Sequence, residues 1–128
     1  MTDDAEAGAL AAVDNYLVAL NARDTQAIRR AFHFPHVRIG ASGIMTTYPT
    51  PDDYDFDSFF SRTIRDGWHH SEWDSTEVVF ATPAKVHVAV NFSRYREDGS
   101  LIGTYFSLYI VTCRNGHWAI HAGSGDGG

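Results

Sequence analysis

A chain of 128 residues with a formal charge of −6 is a poor partner for nucleic acid or an anionic membrane, whose phosphates would repel it. Its 44% apolar and 13% aromatic content is that of a globular chain, and the length fits one domain, residues 1–128, that buries a core without disulfides or metal. No apolar run approaches the roughly 20 residues that span a bilayer, and the acidic start Met-Thr-Asp-Asp-Ala-Glu has the wrong charge for a signal peptide. The lone cysteine, Cys113, cannot form an internal disulfide and is expected as a buried spectator in a strand, which fits a reducing cytoplasm.

In chain order, the first helix is expected over Asp3–Asn21. Asp3 and Glu6 are spaced like a capping box, and Ala9, Leu10, Val13, Tyr16, Leu17 and Leu20 form one apolar stripe at helical spacing. After the connector Asn21–Asp24, Asp24 can cap a second helix to about Phe32, burying Ile28, Ala31 and Phe32. Phe34-Pro35 is expected to stop it, because proline disfavours helical backbone in the preceding residue. Short strands follow at Val37–Gly40 and Ile44–Tyr48, joined by Ala41-Ser42-Gly43. Thr50, Pro51 and the acids after them mark a third helix whose inner face is Phe56, Phe59, Phe60, Thr63 and Ile64, ending at Gly67.

Trp68–Thr82 then reads as a strand that breaks at Pro83. Lys85–Glu97 alternates Val86, Val88, Val90 and Phe92 with smaller or polar residues, turns at Glu97–Ser100, and returns through Leu101–Arg114. Asn115-Gly116 is the strongest short hairpin signal, since both turn positions favour positive φ. His117–Ser124 completes a meander, and residues 125–128 are expected to be a disordered tail. Helices first and long antiparallel strands later give an α+β fold.

The run Tyr16-Leu-Val-Ala-Leu-Asn-Ala-Arg-Asp24 with Ile28 and Ala31-Phe32, and the closing hairpin Arg114-Asn-Gly-His-Trp-Ala-Ile120, resemble the nuclear transport factor 2-like superfamily. That group includes ketosteroid isomerase, limonene epoxide hydrolase, scytalone dehydratase, SnoaL-like polyketide cyclases and kinase-assembly modules. The resemblance implies a cystatin-like cone, in which a curved antiparallel or mixed sheet wraps the three N-terminal helices and leaves an apolar pocket at its open end. It also implies a homodimer through the outer sheet face. The meander supports this independently, because both of its faces carry large apolar groups.

Several residues then become candidates for chemistry. Tyr16 matches the isomerase's oxyanion-donating tyrosine, and a phenol in a dry site can stabilise a developing oxyanion. The alternative for Tyr16 is a core tyrosine with a local partner. The isomerase's base falls on Gly40, which has no side chain, and its second donor falls near Tyr109 or Ile110. Proton abstraction by that scheme is therefore unavailable. Arg38 with Asp55 or Asp74 could loosely replace the hydrolase's carboxylate–arginine–carboxylate set. Otherwise Arg38 is a strand-edge charge or half of an ion pair.

Among the seven histidines, His33, His36 and His70 are candidates for acid/base work near the expected mouth. His117 and His121, about 13 Å apart along one strand at ~3.3 Å per residue, cannot share a metal. Together with His87 they are expected on the outer face. The acids Asp52, Asp53, Asp55 and Asp57 read as helix caps, and no phosphate loop, serine elbow or zinc spacing is present.

The expected function is binding of a small apolar organic molecule, with cofactor-free isomerase, dehydratase or cyclase chemistry as its catalytic form. Tyr16 would act with a rim histidine, and Arg38, Phe60, Trp68, Trp73, Phe92, Tyr105, Tyr109 and Trp118 would contact the ligand. No metal or cofactor is called for. The competing reading is a non-enzymatic association or ligand-binding module.

Overall fold

The computed structural model describes residues 2–126. Among them lie α1 (Thr2–Asn21), α2 (Thr25–Ala31), β1 (Phe32–Ile39), β2 (Met45–Tyr48), a 3₁₀ turn (Pro51–Asp53), α3 (Phe56–Arg65), β3 (His70–Ala81), β4 (Lys85–Tyr95), β5 (Leu101–Arg114) and β6 (His117–Gly125). The strands form one six-stranded sheet in the order β2-β1-β6-β5-β4-β3. All pairings are antiparallel except β1 with β6, which is parallel, so the sheet is mixed. No described helix is long and apolar enough to cross a membrane.

The helix α1 lies on the inner face of this sheet. It buries Ala5, Ala9, Val13, Tyr16, Ala19 and Leu20 against the inward row Val86, Val88, Val90, Val111 and Ile120, most of which are fully enclosed. Small residues on one side of α1 let it approach the strands closely. Gly8 is the extreme case, because a Cβ there would run into Cδ1 and Nε1 of Trp118. At its C-terminus α1 is tied to β3 by Asn21, whose amide donates to the Ser71 carbonyl and accepts from the Ser71 amide, both at 2.9 Å.

Several boundaries differ from the sequence reading, each for a local reason. Helix α2, capped by Asp24 through the Ala27 amide, ends at Ala31, one turn before Pro35. The proline lies inside β1, where the β1–β6 register shifts between Phe32 and Val37 and no ladder donor is required of it. The expected third helix is split by two consecutive caps. Thr50 and Asp53 form a capping box around the 3₁₀ turn, and Asp55 then accepts from the Ser58 amide to start α3. Ile64, expected inside, is 48% exposed, and Cys113 is half-buried rather than buried. Gly125 and Asp126, expected in a loose tail, are held: Gly125 pairs with Ser107, and Asp126 Oδ1 accepts from the Phe106 amide at 2.8 Å. Gly127 and Gly128 lie outside the described residues.

Replacing Gly8 with alanine tests the packing. Helix propensity alone favours alanine by about 1 kcal/mol. Overpacking against Trp118 should reverse that sign and destabilise the protein by about 1–3 kcal/mol. Urea unfolding of Gly8→Ala checks it, and a gain in stability would show that α1 does not seat where the contact requires.

Candidate functional site

The open end of the cone holds a cavity of about 260 Å³ between α1, α3 and the inner sheet face. Its floor is built from Tyr16 of α1, Arg38 of β1 and Tyr109 of β5. Its sides are Trp68, Trp73, Phe92 and Phe59, and Tyr48 and Tyr54 close the β2 side. Arg62 and Arg94 also line it. The Tyr16 ring lies 5.2 Å from Phe32 and 6.0 Å from Tyr109, and Trp73 stands 6.3 Å from Tyr109. Trp68 is held by its indole N–H on Ser71 Oγ at 2.9 Å and by the Arg23 guanidinium over its ring at 4.7 Å.

Arg38 is the charged centre of the floor. Its guanidinium carbon sits 5.1 Å from the Phe32 ring centroid, 5.7 Å from Tyr109 and 5.9 Å from Tyr16. Burial opposes its charge, but the surrounding hydroxyls of Tyr54, Tyr16 and Tyr109 push its pKa up, so it stays cationic. Burial raises the pKa of Tyr54 to about 12 and raises that of Tyr109 as well, so both remain neutral hydrogen-bond donors at physiological pH.

His36 fixes the orientation of Arg38. The ring is fully buried, stacked on Phe32 at 4.1 Å, with Nδ1 3.1 Å from the Ile120 carbonyl and Nε2 3.0 Å from Arg38 Nε. Because arginine can only donate, Nε2 must accept, which places the proton on Nδ1, facing the carbonyl. Burial, and then the Arg38 charge, lower the His36 pKa to about 3. His36 is therefore a neutral prop behind the cavity and not a proton carrier at neutral pH.

The other predicted residues divide by position. Tyr16, Arg38, Trp68, Trp73, Phe92 and Tyr109 come together in the cavity wall. Phe60 is beneath it, stacked with Trp68 at 6.3 Å, and Tyr105 packs against Phe92 beyond the wall. Trp118 sits against Gly8 on α1. His70, at the start of β3, stacks on Tyr95 and meets Glu72 at 3.1 Å on the exposed rim. His33 lies on the opposite side of the sheet, donating from Nε2 to the carbonyls of Thr112 and His117, with its ring between those of His117 and His121. Neither His33 nor His70 reaches the cavity. Among the described residues no cluster of histidine, cysteine and acids has a metal-holding arrangement.

The carboxylate–arginine–carboxylate set is not assembled either. Asp55 caps α3, and Asp74 accepts from Ser93 Oγ at 2.6 Å. Arg38 forms no ion pair among the described residues, where the one salt bridge is His70–Glu72. It is thus neither of the bland alternatives that its strand position suggested. Sequence reasoning also missed Gly123 and Gly125. A register shift opposite Ile110 and Val111 leaves His121 unpaired, so beyond it the inward side passes from the even positions to Gly123 and Gly125. An added Cβ at Gly123 would come within 3.2 Å of Arg38 Nη1, so this glycine makes room for the guanidinium.

A family model described as NTF2-like protein (DUF6841) matches residues 5–125. The chain belongs to this family. No curated protein matches it. Among solved structures it is similar to a protein of unknown function with a cystatin-like fold from Nostoc punctiforme (13% identity, TM-score 0.75, covering 94% of this chain and 89% of that one). A ketosteroid isomerase-like protein from Erwinia carotovora atroseptica is 17% identical, with TM-score 0.70 and coverage of 94% and 93%. The hexachlorocyclohexane dehydrochlorinase LinA-type3 from Novosphingobium barchaimii is 14% identical, with TM-score 0.69 and coverage of 95% and 85%. At such identities the likeness establishes the NTF2-like fold alone.

The buried histidines set the acid response. The pKa values of His33, His36 and His121 all lie below the usual histidine value, with burial as the leading cause. The unfolded chain therefore takes up protons below about pH 6.5 that the folded chain refuses, and stability should fall as pH drops from 7 toward 4. His36 alone should contribute a slope of up to about 1.4 kcal/mol per pH unit. Urea denaturation at pH 7, 6 and 5 checks this. A flat profile would mean that His36 is not buried and neutral.

Proposed function

We propose that this chain binds a small, largely apolar organic molecule in the cone cavity, with Tyr16, Tyr109 and Arg38 holding an oxygen of that molecule. The observation that carries the reading is their convergence on the floor of an open cavity whose sides are aromatic. A cone filled by its own phenylalanine and tryptophan side chains would instead favour a scaffold. Pockets that combine apolar walls with a few convergent polar groups are the usual form of small-molecule sites.

A second reading, cofactor-free isomerase, dehydratase or cyclase chemistry, has one observation in its favour. Phenol and guanidinium donors lining one cavity would strengthen their hydrogen bonds as charge builds on a carbonyl oxygen held there, an effect worth on the order of 3 kcal/mol per donor. Against it, among the described residues no lining residue is an aspartate, glutamate, histidine, cysteine or lysine, so the described wall supplies an oxyanion site without a carboxylate or imidazole base. The isomerase-like and dehydrochlorinase relatives suggest this chemistry through the fold alone. Binding is the function that these residues support best.

The proposal includes a homodimer. On the outer sheet face Phe80 of β3, 52% exposed, and Phe106 of β5, 44% exposed, stand with Leu108 and Ile110 of β5, with β4 between the two strands. A second copy on this face would remove that apolar surface from water.

Native mass spectrometry of gently purified protein tests both parts. The expected result is a dimer carrying a defined organic adduct. Gly40 lines the cavity, and an added Cβ there meets nothing within 4 Å, so Gly40→Trp should be tolerated while obstructing the mouth. The adduct should disappear in this variant while its melting temperature is maintained. An adduct that persists would place binding elsewhere, and a monomer mass would sink the dimer.

A further inference from the structure

We propose that the ligand is an organic monoanion, a carboxylate on a flat apolar body, and that its carboxylate sits on Arg38. The inference rests on the binding reading above and deepens it. Its first ground is the unbalanced charge on the floor. Arg38 Nη2 is buried with no hydrogen-bond partner, and no carboxylate among the described residues pairs with the guanidinium. Removing a cation from water costs several kcal/mol unless an opposite charge and further hydrogen bonds offset it. The His36 ring that accepts from Nε, the neighbouring tyrosine hydroxyls and the ring faces of Phe32, Tyr16 and Tyr109 offset part of that cost, but at neutral pH all of them are neutral.

A second ground is the sign of the wall as a whole. Among the described residues that line the cavity, Arg38 and Arg62 are bases and none is an acid, in a chain whose formal charge is −6. Although acids outnumber bases sixteen to ten, the described lining of this concavity holds bases and no acid. Such a concavity attracts anions against the net repulsion of the protein.

A third ground concerns donors and acceptors. Trp73, also in the wall, has a buried indole N–H without a partner. Tyr54 and Tyr109 remain protonated. Beside the serine, threonine and tyrosine hydroxyls, the described lining has no anionic acceptor, and a ligand carboxylate supplies one. His36 holds Arg38 by Nε, which directs the terminal nitrogens of the fork away from the prop. A planar guanidinium end matches a planar carboxylate, and one buried guanidinium matches one negative charge better than a phosphate monoester's two. Trp68, Trp73, Phe59 and Phe92 form the sides against which a flat apolar body would lie.

Calorimetric titration with 2-naphthoate, 2-naphthamide and 2-naphthyl phosphate separates the possibilities. The three share a ring system and differ in charge. The carboxylate should bind at least tenfold more tightly than either of the others. Arg38→Met should abolish its advantage over the amide, and Arg38→Lys, which keeps the charge and loses the fork, should retain part of it. If naphthoate and naphthamide bind alike, the pocket reading stands and the anion inference is overturned. If the phosphate binds most tightly, the anion is of a different kind and the carboxylate assignment falls. Should none bind at millimolar concentration, the pocket reading falls and the inference with it. If Arg38→Met does not fold, the three-ligand comparison on the wild-type protein still decides.

Discussion

A line of two hydrogen bonds, from the Arg38 guanidinium into the His36 ring and from that ring to the Ile120 carbonyl, connects the cavity floor to the centre of the sheet. It works only while the imidazole is neutral. A protonated ring would have no lone pair for arginine and would place two cations in contact inside the protein. The parallel pairing of β1 with β6 supplies this geometry, because it sets Phe32 beside Ile120 and so holds the His36 ring within reach of that carbonyl. The stacking of Phe32 on the same imidazole keeps water away from it. Disturbing any member of the line would alter where the guanidinium points.

Around that line, irregularities in the strands set what the cavity contains. Register shifts in β3 on either side of Ser75–Val78, and the shift in β6 at His121, re-aim the residues beyond them. In β3 the result is that Trp73 points inward while Asp74 reaches Ser93 on the strand beside it. In β6 the result is a wall of two glycines where strict alternation would have put alanine and serine. The space in this protein owes as much to broken alternation as to the helices lying across it.

Most of the scaffold could be read from the residues. Asn115-Gly116, the alternation in Lys85–Phe92, the stripe on α1 and the caps at Asp24 and Asp55 are local signals, and local signals survive folding. Tyr16 was visible through the family resemblance, and Trp68, Trp73, Phe92 and Tyr109 as large aromatics near the expected pocket, a signal that also pointed to Phe60, Tyr105 and Trp118, which lie off the wall. Arg38 was legible as a ligand contact or as part of a carboxylate–arginine–carboxylate set, but nothing in its neighbourhood along the chain announces that it faces inward without an acid. The histidines misled for a related reason. His33 and His36 are three apart in a strand whose pairing shifts, so one goes to the outer face and the other beneath the floor. Proline at 35 was read as a stop, but the helix had already ended, and Pro35 instead occupies the irregular part of β1.

Gly40 shows how close this cavity stands to another kind of site. Its missing side chain leaves open space on the wall that also carries Tyr16 and Arg38. A single base change converts a glycine codon to an acidic one, which would add a carboxylate proton acceptor to a wall whose described residues have none. A receptor and a proton-transfer enzyme can differ by one carboxyl group on the same strand, and a lineage can move between them in either direction without passing through an unfolded ancestor.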